Sequence, residues 1–165
     1  MSALLSDVAA DVGRALAGRG WRLATAESCT GGLIAATCTS VSGSSVWFDR
    51  GFVTYSNQAK IDQLGVSPAL LSQHGAVSEQ VACAMAQGAL ARSAAHVAVA
   101  VTGIAGPTGQ VPGKPVGTVY VALAAQGLAV RCTRFQFPGD REAVRQLAVH
   151  EALNWIQQAA HPAAP

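Results

Sequence analysis

One stretch constrains the folding of this chain more than any other. Trp21 to Ala26 is a short apolar run, Glu27-Ser28-Cys29-Thr30-Gly31-Gly32 is polar and ends in paired glycines, and Leu33-Ile34-Ala35-Ala36-Thr37-Cys38 has helical character. The order predicts a buried strand, a tight glycine-containing turn and a helix, which is the repeating unit of an α/β protein. Similar signals follow. Val46 to Tyr55 alternates and is aromatic-rich, predicting a second strand. His96 to Thr102 is β-branched and alternating, predicting a third. Val116–Ala124 and Leu128–Phe137 predict a hairpin through Ala125-Gln126-Gly127.

Helices are expected between and around these strands. Leu5, Val8, Val12 and Leu16 recur at helical spacing, predicting a helix over 3–17 that Gly18 and Gly20 end. Val41 to Ser45 is a Ser/Gly loop. Ser56 is placed to cap a short helix over 57–64 closed by Gly65, Pro68 opens another, and Ser78 caps a longer one through Val81, Met85, Leu90 and Ala91. Asp140 caps the last helix, with Val144, Leu147, Leu153 and Ile156 on its apolar face, and 161–165 reads as a flexible tail. The expected architecture is a single-domain three-layer α/β/α sandwich with a mixed sheet over 1–160.

Composition narrows the function. The 165 residues are 50% hydrophobic and 12% charged, with 17 glycines and a net charge of +2. A soluble domain averages about 25% charged residues, so this chain is built for burial and is not disordered. There is no basic run to suggest nucleic acid, no stretch near the roughly 18 apolar residues of a membrane span, and no basic leader at the N-terminus. Cys29, Cys38, Cys83 and Cys132 are scattered without metal-ligand spacing, which predicts reduced thiols, no metal and a cytoplasmic setting. The sparse charge is compatible with a homo-oligomer.

Three polar clusters fall at predicted strand ends. In the first, Ser28 opens a turn into a helix, where unpaired amides could hold an oxyanion formed by a serine nucleophile; a capping serine with packing glycines would look the same. It is not a G-x-S-x-G elbow, because Ala26 and Thr30 stand at the glycine positions. In the second, Thr54-Tyr55-Ser56-Asn57-Gln58-Ala59-Lys60, a lysine follows a strand in a chain with only two lysines. Desolvated, Lys60 would be a base; exposed, it would be an ordinary helix lysine. The third, Thr102-Gly103-Ile104-Ala105-Gly106-Pro107-Thr108-Gly109, could wrap a phosphate with backbone amides, but it is neither a Walker A loop nor G-x-G-x-x-G. His74 in a loop, His96 at a strand start, His150 on a helix and His161 in the tail form no triad, so Lys60 is the better base for Ser28.

Together the clusters resemble the CinA C-terminal domain family. The matching segments are Ala26-Glu27-Ser28-Cys29-Thr30-Gly31-Gly32, Val53-Thr54-Tyr55-Ser56-Asn57 with Lys60, and His74-Gly75-Ala76-Val77-Ser78-Glu79. Ala100-Val101-Thr102-Gly103-Ile104-Ala105-Gly106-Pro107, Lys114-Pro115-Val116-Gly117-Thr118-Val119 and Phe137-Pro138-Gly139-Asp140-Arg141 continue it. The resemblance covers nearly the whole chain and is to the stand-alone form, without the N-terminal domain of larger CinA proteins.

The resemblance implies a nicotinamide-nucleotide amidohydrolase. Such an enzyme converts nicotinamide mononucleotide and water to nicotinate mononucleotide and ammonia, in pyridine-nucleotide recycling and without a cofactor. It implies Ser28 as nucleophile, Lys60 as base and Tyr55 as an assisting hydroxyl. The substrate side is expected to involve Thr30, Gly31, Gly32, Thr102, Gly103 and Gly106, with Arg141 or Arg145 on the phosphate. The segment from Gly106 to Gly113 carries no acid, unlike the family's acid-containing versions. The competing expectation is a catalytically silent nucleotide-binding or regulatory domain on the same scaffold.

Overall fold

The computed structural model describes residues 3–161. Residues 162–165 of the expected tail lie outside the described residues. Helix α1 (Ala3–Arg19) leads to strand β1 (Leu23–Glu27), helix α2 (Leu33–Thr39), a short 3-10 turn over Ser44–Val46, and strand β2 (Phe48–Val53). Three helices follow, α3 (Asn57–Leu64), α4 (Pro68–His74) and α5 (Glu79–Ala91). Strands β3 (Val97–Gly103), β4 (Thr118–Ala125) and β5 (Arg131–Gln136) complete the sheet, and α6 (Arg141–Ala160) is the last element among the described residues.

The strands lie in the order β2-β1-β3-β4-β5. Strand β1 is parallel to both β2 and β3, and β3, β4 and β5 run antiparallel. The sheet is mixed, as the late hairpin predicts. Alternation along the strands divides the core by size. Leu23, Val97, Val99, Val101, Val119 and Val121 face α1, α2 and α6, whereas Ala24, Ala26, Ala98, Ala100, Ala122 and Ala124 face α5 and its neighbours. Helices therefore cover both faces in three layers.

The expected caps are in place. Ser56 accepts from Ala59 N–H, Ser78 from Val81 N–H and Asp140 from Ala143 N–H, and Gly65 closes α3 at φ 67°. Helix α1 runs through Gly18 to Arg19 and stops at Gly20, whose φ of 66° is the left-handed terminator a glycine supplies. His74 ends α4 instead of lying in a loop, and Leu147 is exposed instead of joining the core.

Chain direction creates the crevice. The connection β1–α2–β2 leaves to one side of β1, and β2–α3–α4–α5–β3 returns to its other side over the opposite face. The carboxyl end of β1 is thus a topological switch point, where open α/β sheets leave room for a ligand.

Candidate active site

Ser28 is the first residue beyond β1, and two backbone bonds extend the sheet past the strand to fix it. Its N–H donates to Val101 O (2.9 Å), and Thr54 N–H donates to Glu27 O (2.9 Å). Ser28 and Thr54 are thereby held side by side at the rim of the sheet. Helix α3 starts three residues after Thr54 and turns its Lys60–Leu64 stripe inward. That i, i+4 spacing buries a lysine together with a leucine.

Lys60 is only 1% exposed. Its Nζ lies 3.0 Å from Ser28 Oγ, 2.8 Å from the Thr54 carbonyl and 3.5 Å from the Tyr55 carbonyl. Burial lowers its pKa from 10.5 to about 8, with a small opposing effect from the neighbouring Cys29 thiol. Removing the ammonium from water penalises the charged form. Cys29 is itself pushed up to about 12 by burial, which leaves it a protonated, packed thiol.

A cavity of about 270 Å³ opens above the pair. Its lining includes Ser28, Tyr55, Lys60, Thr102, Gly103, Gly106 and Arg141, so seven of the sequence-derived positions converge. It also includes Asn57 and Cys29, which sequence reasoning did not place there. Asn57 sits three residues before Lys60 on α3, a spacing that could have flagged it. No lining residue is acidic, and Lys60 and Arg141 are both basic, so the cavity favours an anion.

Other positions take different parts. The Tyr55 hydroxyl, exposed at the mouth, accepts from Arg141 Nη2 (2.9 Å), and Arg141 Nη1 donates to the Gly106 carbonyl (2.8 Å). The hydroxyl therefore does not stand between Ser28 and Lys60, which touch directly. Thr102 Oγ1 donates to the Ala76 carbonyl (2.8 Å), fastening the wall that Ala76 and Val77 form. Thr30, Gly31, Gly32 and Arg145 lie outside the lining. Gly31 N–H donates to Ser28 O, and Arg145 grips the turn from behind, through Nε to the Cys29 carbonyl (3.2 Å) and Nη2 to the Thr30 carbonyl (2.9 Å).

Glu27 carries no signal in the sequence beyond its place in the turn motif. Its carboxylate is fully buried and accepts from Ile34 N–H (2.8 Å), Ala35 N–H (3.0 Å) and Thr25 Oγ1 (3.3 Å). It occupies the amino end of α2, so those helix amides are not open to a ligand. Among the described residues, two buried hydroxyls lack partners, Thr30 Oγ1 and Thr54 Oγ1, one in each of the segments that meet at Ser28 and Lys60.

A three-layer α/β scaffold whose switch-point crevice sets a serine against a desolvated lysine has the parts of a covalent hydrolase site. The chain belongs to the CinA C-terminal domain family, whose sequence profile matches residues 5–160. It is 55% identical over 141 residues to the nicotinamide-nucleotide amidohydrolase PncC of Enterobacter agglomerans, covering 86% of each chain. It is 51% identical over 155 residues to the protein of that name from Escherichia coli K12, covering 93% of each. The competence/damage inducible protein CihA of Agrobacterium tumefaciens superposes with a TM-score of 0.92 at 44% identity, over 94% of this chain and 95% of that one.

Proposed function

We propose that this protein is a nicotinamide-nucleotide amidohydrolase that uses Ser28 as nucleophile and Lys60 as base. The observation carrying the reading is the Ser28–Lys60 contact of 3.0 Å at the floor of an acid-free cavity. The high identity to proteins named PncC along nearly their whole length supports the substrate, nicotinamide mononucleotide.

Burial favours the neutral amine of Lys60, and its contacts accommodate it. Nζ donates to the Thr54 and Tyr55 carbonyls and to Ser28 Oγ, and once the amine is neutral two N–H bonds serve the carbonyls while the lone pair replaces the third donor at the Ser28 hydroxyl. Ser28 Oγ attacks the carboxamide carbon as its proton passes to Lys60. The tetrahedral adduct collapses with cleavage of the C–N bond, and the Lys60 ammonium gives that proton to the departing nitrogen, releasing ammonia. Water then adds to the acyl-serine, giving a proton to Lys60, which returns it to Ser28 Oγ as the ester bond breaks. Nicotinate mononucleotide leaves as the carboxylate, its acid proton being taken up by the released ammonia.

Arg141 at the mouth is the anchor for the phosphate, and the Gly103–Gly109 segment borders the same end. Asn57, its side-chain amide unpaired and one helical turn outward from Lys60, faces the sugar between them. Tyr55 shapes the mouth through Arg141 instead of relaying a proton. A soluble nucleotide substrate and four unbridged thiols suit the cytoplasm.

The test is ammonia release from nicotinamide mononucleotide by the purified protein beside Ser28→Ala. Release lost in the variant, with nucleotide binding kept, is the expected result. Release surviving in Ser28→Ala would discard this mechanism. Binding without release by the wild type would favour the silent nucleotide-binding alternative.

A further inference from the structure

The turn that presents Ser28 is held on two sides by side chains that never enter the cavity. Glu27 spans it from within the chain, joining the end of β1 to the first amides of α2. Arg145 reaches it from α6, the layer opposite to the one that supplies Lys60, and bonds two successive carbonyls, Cys29 at 3.2 Å and Thr30 at 2.9 Å. Arg145 lies outside the cavity lining, so it is not placed to pair with a substrate phosphate.

A trans peptide points its N–H away from its own carbonyl. Fixing the Cys29 carbonyl toward α6 therefore turns the Thr30 N–H away from it, toward the face from which Lys60 comes. The Thr30 amide has no backbone acceptor among the described residues, and the Cys29 amide is engaged only by its own thiol. A cation bonded to a carbonyl also polarises the peptide and strengthens its N–H as a donor.

We propose that Arg145 is a positioning residue for the developing oxyanion, holding the Cys29 and Thr30 carbonyls on the α6 side so that the amides of the Ser28 turn donate to a tetrahedral adduct on Ser28 Oγ. The proposal rests on the amidohydrolase reading. It assigns Arg145 to transition-state stabilisation and leaves substrate anchoring to Arg141.

Arg145→Lys and Arg145→Gln test it. Lysine keeps the charge but cannot bridge two carbonyls with a planar fork. In both, kcat should fall about 10- to 100-fold with KM nearly unchanged, less than the roughly 10²–10³ lost when an oxyanion donor is removed outright. Added guanidinium ion at a non-denaturing concentration should restore part of the loss in Arg145→Gln. A raised KM with kcat intact would make Arg145 a substrate ligand and overturn the proposal.

A second readout does not depend on turnover. Pyridine-3-boronic acid accepts Ser28 Oγ at boron, giving a tetrahedral boronate anion while Lys60 takes the hydroxyl proton. Its affinity should drop about 10-fold or more in both variants, relative to the wild type, because the amides stabilise that anion. Equal boronate affinity in wild type and variants would sink the proposal. Absence of ammonia release from the wild type would instead sink the amidohydrolase reading, with the boronate series still deciding the role of Arg145.

Discussion

Lys60 Nζ and Ser28 Oγ meet at 3.0 Å although 32 positions separate them in the chain. Each is delivered by an element on a different side of the contact, Ser28 by the end of β1 and Lys60 by the buried stripe of α3. The meeting depends on Thr54, whose amide completes the ladder to Glu27 and whose carbonyl receives the lysine. The chemistry of the pair follows from that enclosure.

The pH dependence has a definite sign. Lys60 acts as a base only when neutral, and burial brings its pKa to about 8. The kcat/KM for ammonia release should rise with pH along a limb centred near that value and fall tenfold per pH unit on the acid side. A profile flat through that region would remove Lys60 from the role of base. Lys60→Arg should be inactive at every pH, since a guanidinium does not deprotonate in this range.

The same burial has a stability consequence. The unfolded amine titrates at 10.5 and the folded one at about 8, so between these values the unfolded state holds more protons. Stability of the wild type should therefore rise with pH across that window and be lowest below it, where the charged amine stays buried. Lys60→Met, of similar volume, should be inactive yet more resistant to urea at neutral pH by about 1–2 kcal/mol. The margin should shrink as pH approaches the unfolded value. Urea titrations at three pH values check this, and a margin that widens with pH would contradict it.

Anchoring should separate from chemistry. Arg141→Ala should raise KM for nicotinamide mononucleotide about 10- to 100-fold, the range of a charge-assisted bond worth about 1.5–3 kcal/mol. It should leave turnover of the phosphate-free nucleoside, nicotinamide riboside, little changed. Asn57→Ala should weaken both substrates alike. Steady-state kinetics on the two substrates distinguish the residues.

Placement of the base depends on a residue outside the cavity. Gly88 of α5 lies against α3 so closely that a Cβ there would overlap the Leu64 carbonyl oxygen, which is backbone and cannot swing aside. Gly88→Ala should force α3 outward and carry Lys60 with it. We expect a loss of about 1–3 kcal/mol in stability from overpacking. We also expect a fall in kcat approaching the roughly 10²-fold that a 1 Å misplacement produces. Thermal melting and kinetics on the folded variant measure the two separately.

Much of this was legible in the sequence because it is local. The helix over 57–64 could be read with both ends, since Ser56 and Gly65 act within a turn of themselves. The strand-turn-helix around Ser28 was legible for the same reason, as apolar run, paired glycines and helical run are contiguous. What escaped depends on distant partners. Arg141 and Arg145 are one helical turn apart and equally basic, and only the fold shows one at the cavity mouth and the other behind the turn. Tyr55 is next to Thr54 in sequence, yet its hydroxyl is directed to α6. Leu147 matches the helical period, but it lies in an open groove beside Leu4 and Pro138 and stays exposed.

The packing of α1 against α6 bears on how the protein is made. These are the first and last elements of the described fold, and Leu5, Val12 and Leu16 share one cluster with Val149, Leu153 and Ile156. Strand β1 likewise waits for β3, with Leu23 paired to Val97. A nascent chain emerging from the ribosome therefore carries an unshielded amino-terminal helix and a half-paired central strand through most of its translation. Only when α6 emerges can that face close, and Arg141 and Arg145 arrive in the same step. Truncations within α6 should thus yield chains that aggregate or are degraded, rather than shortened proteins with a weakened site.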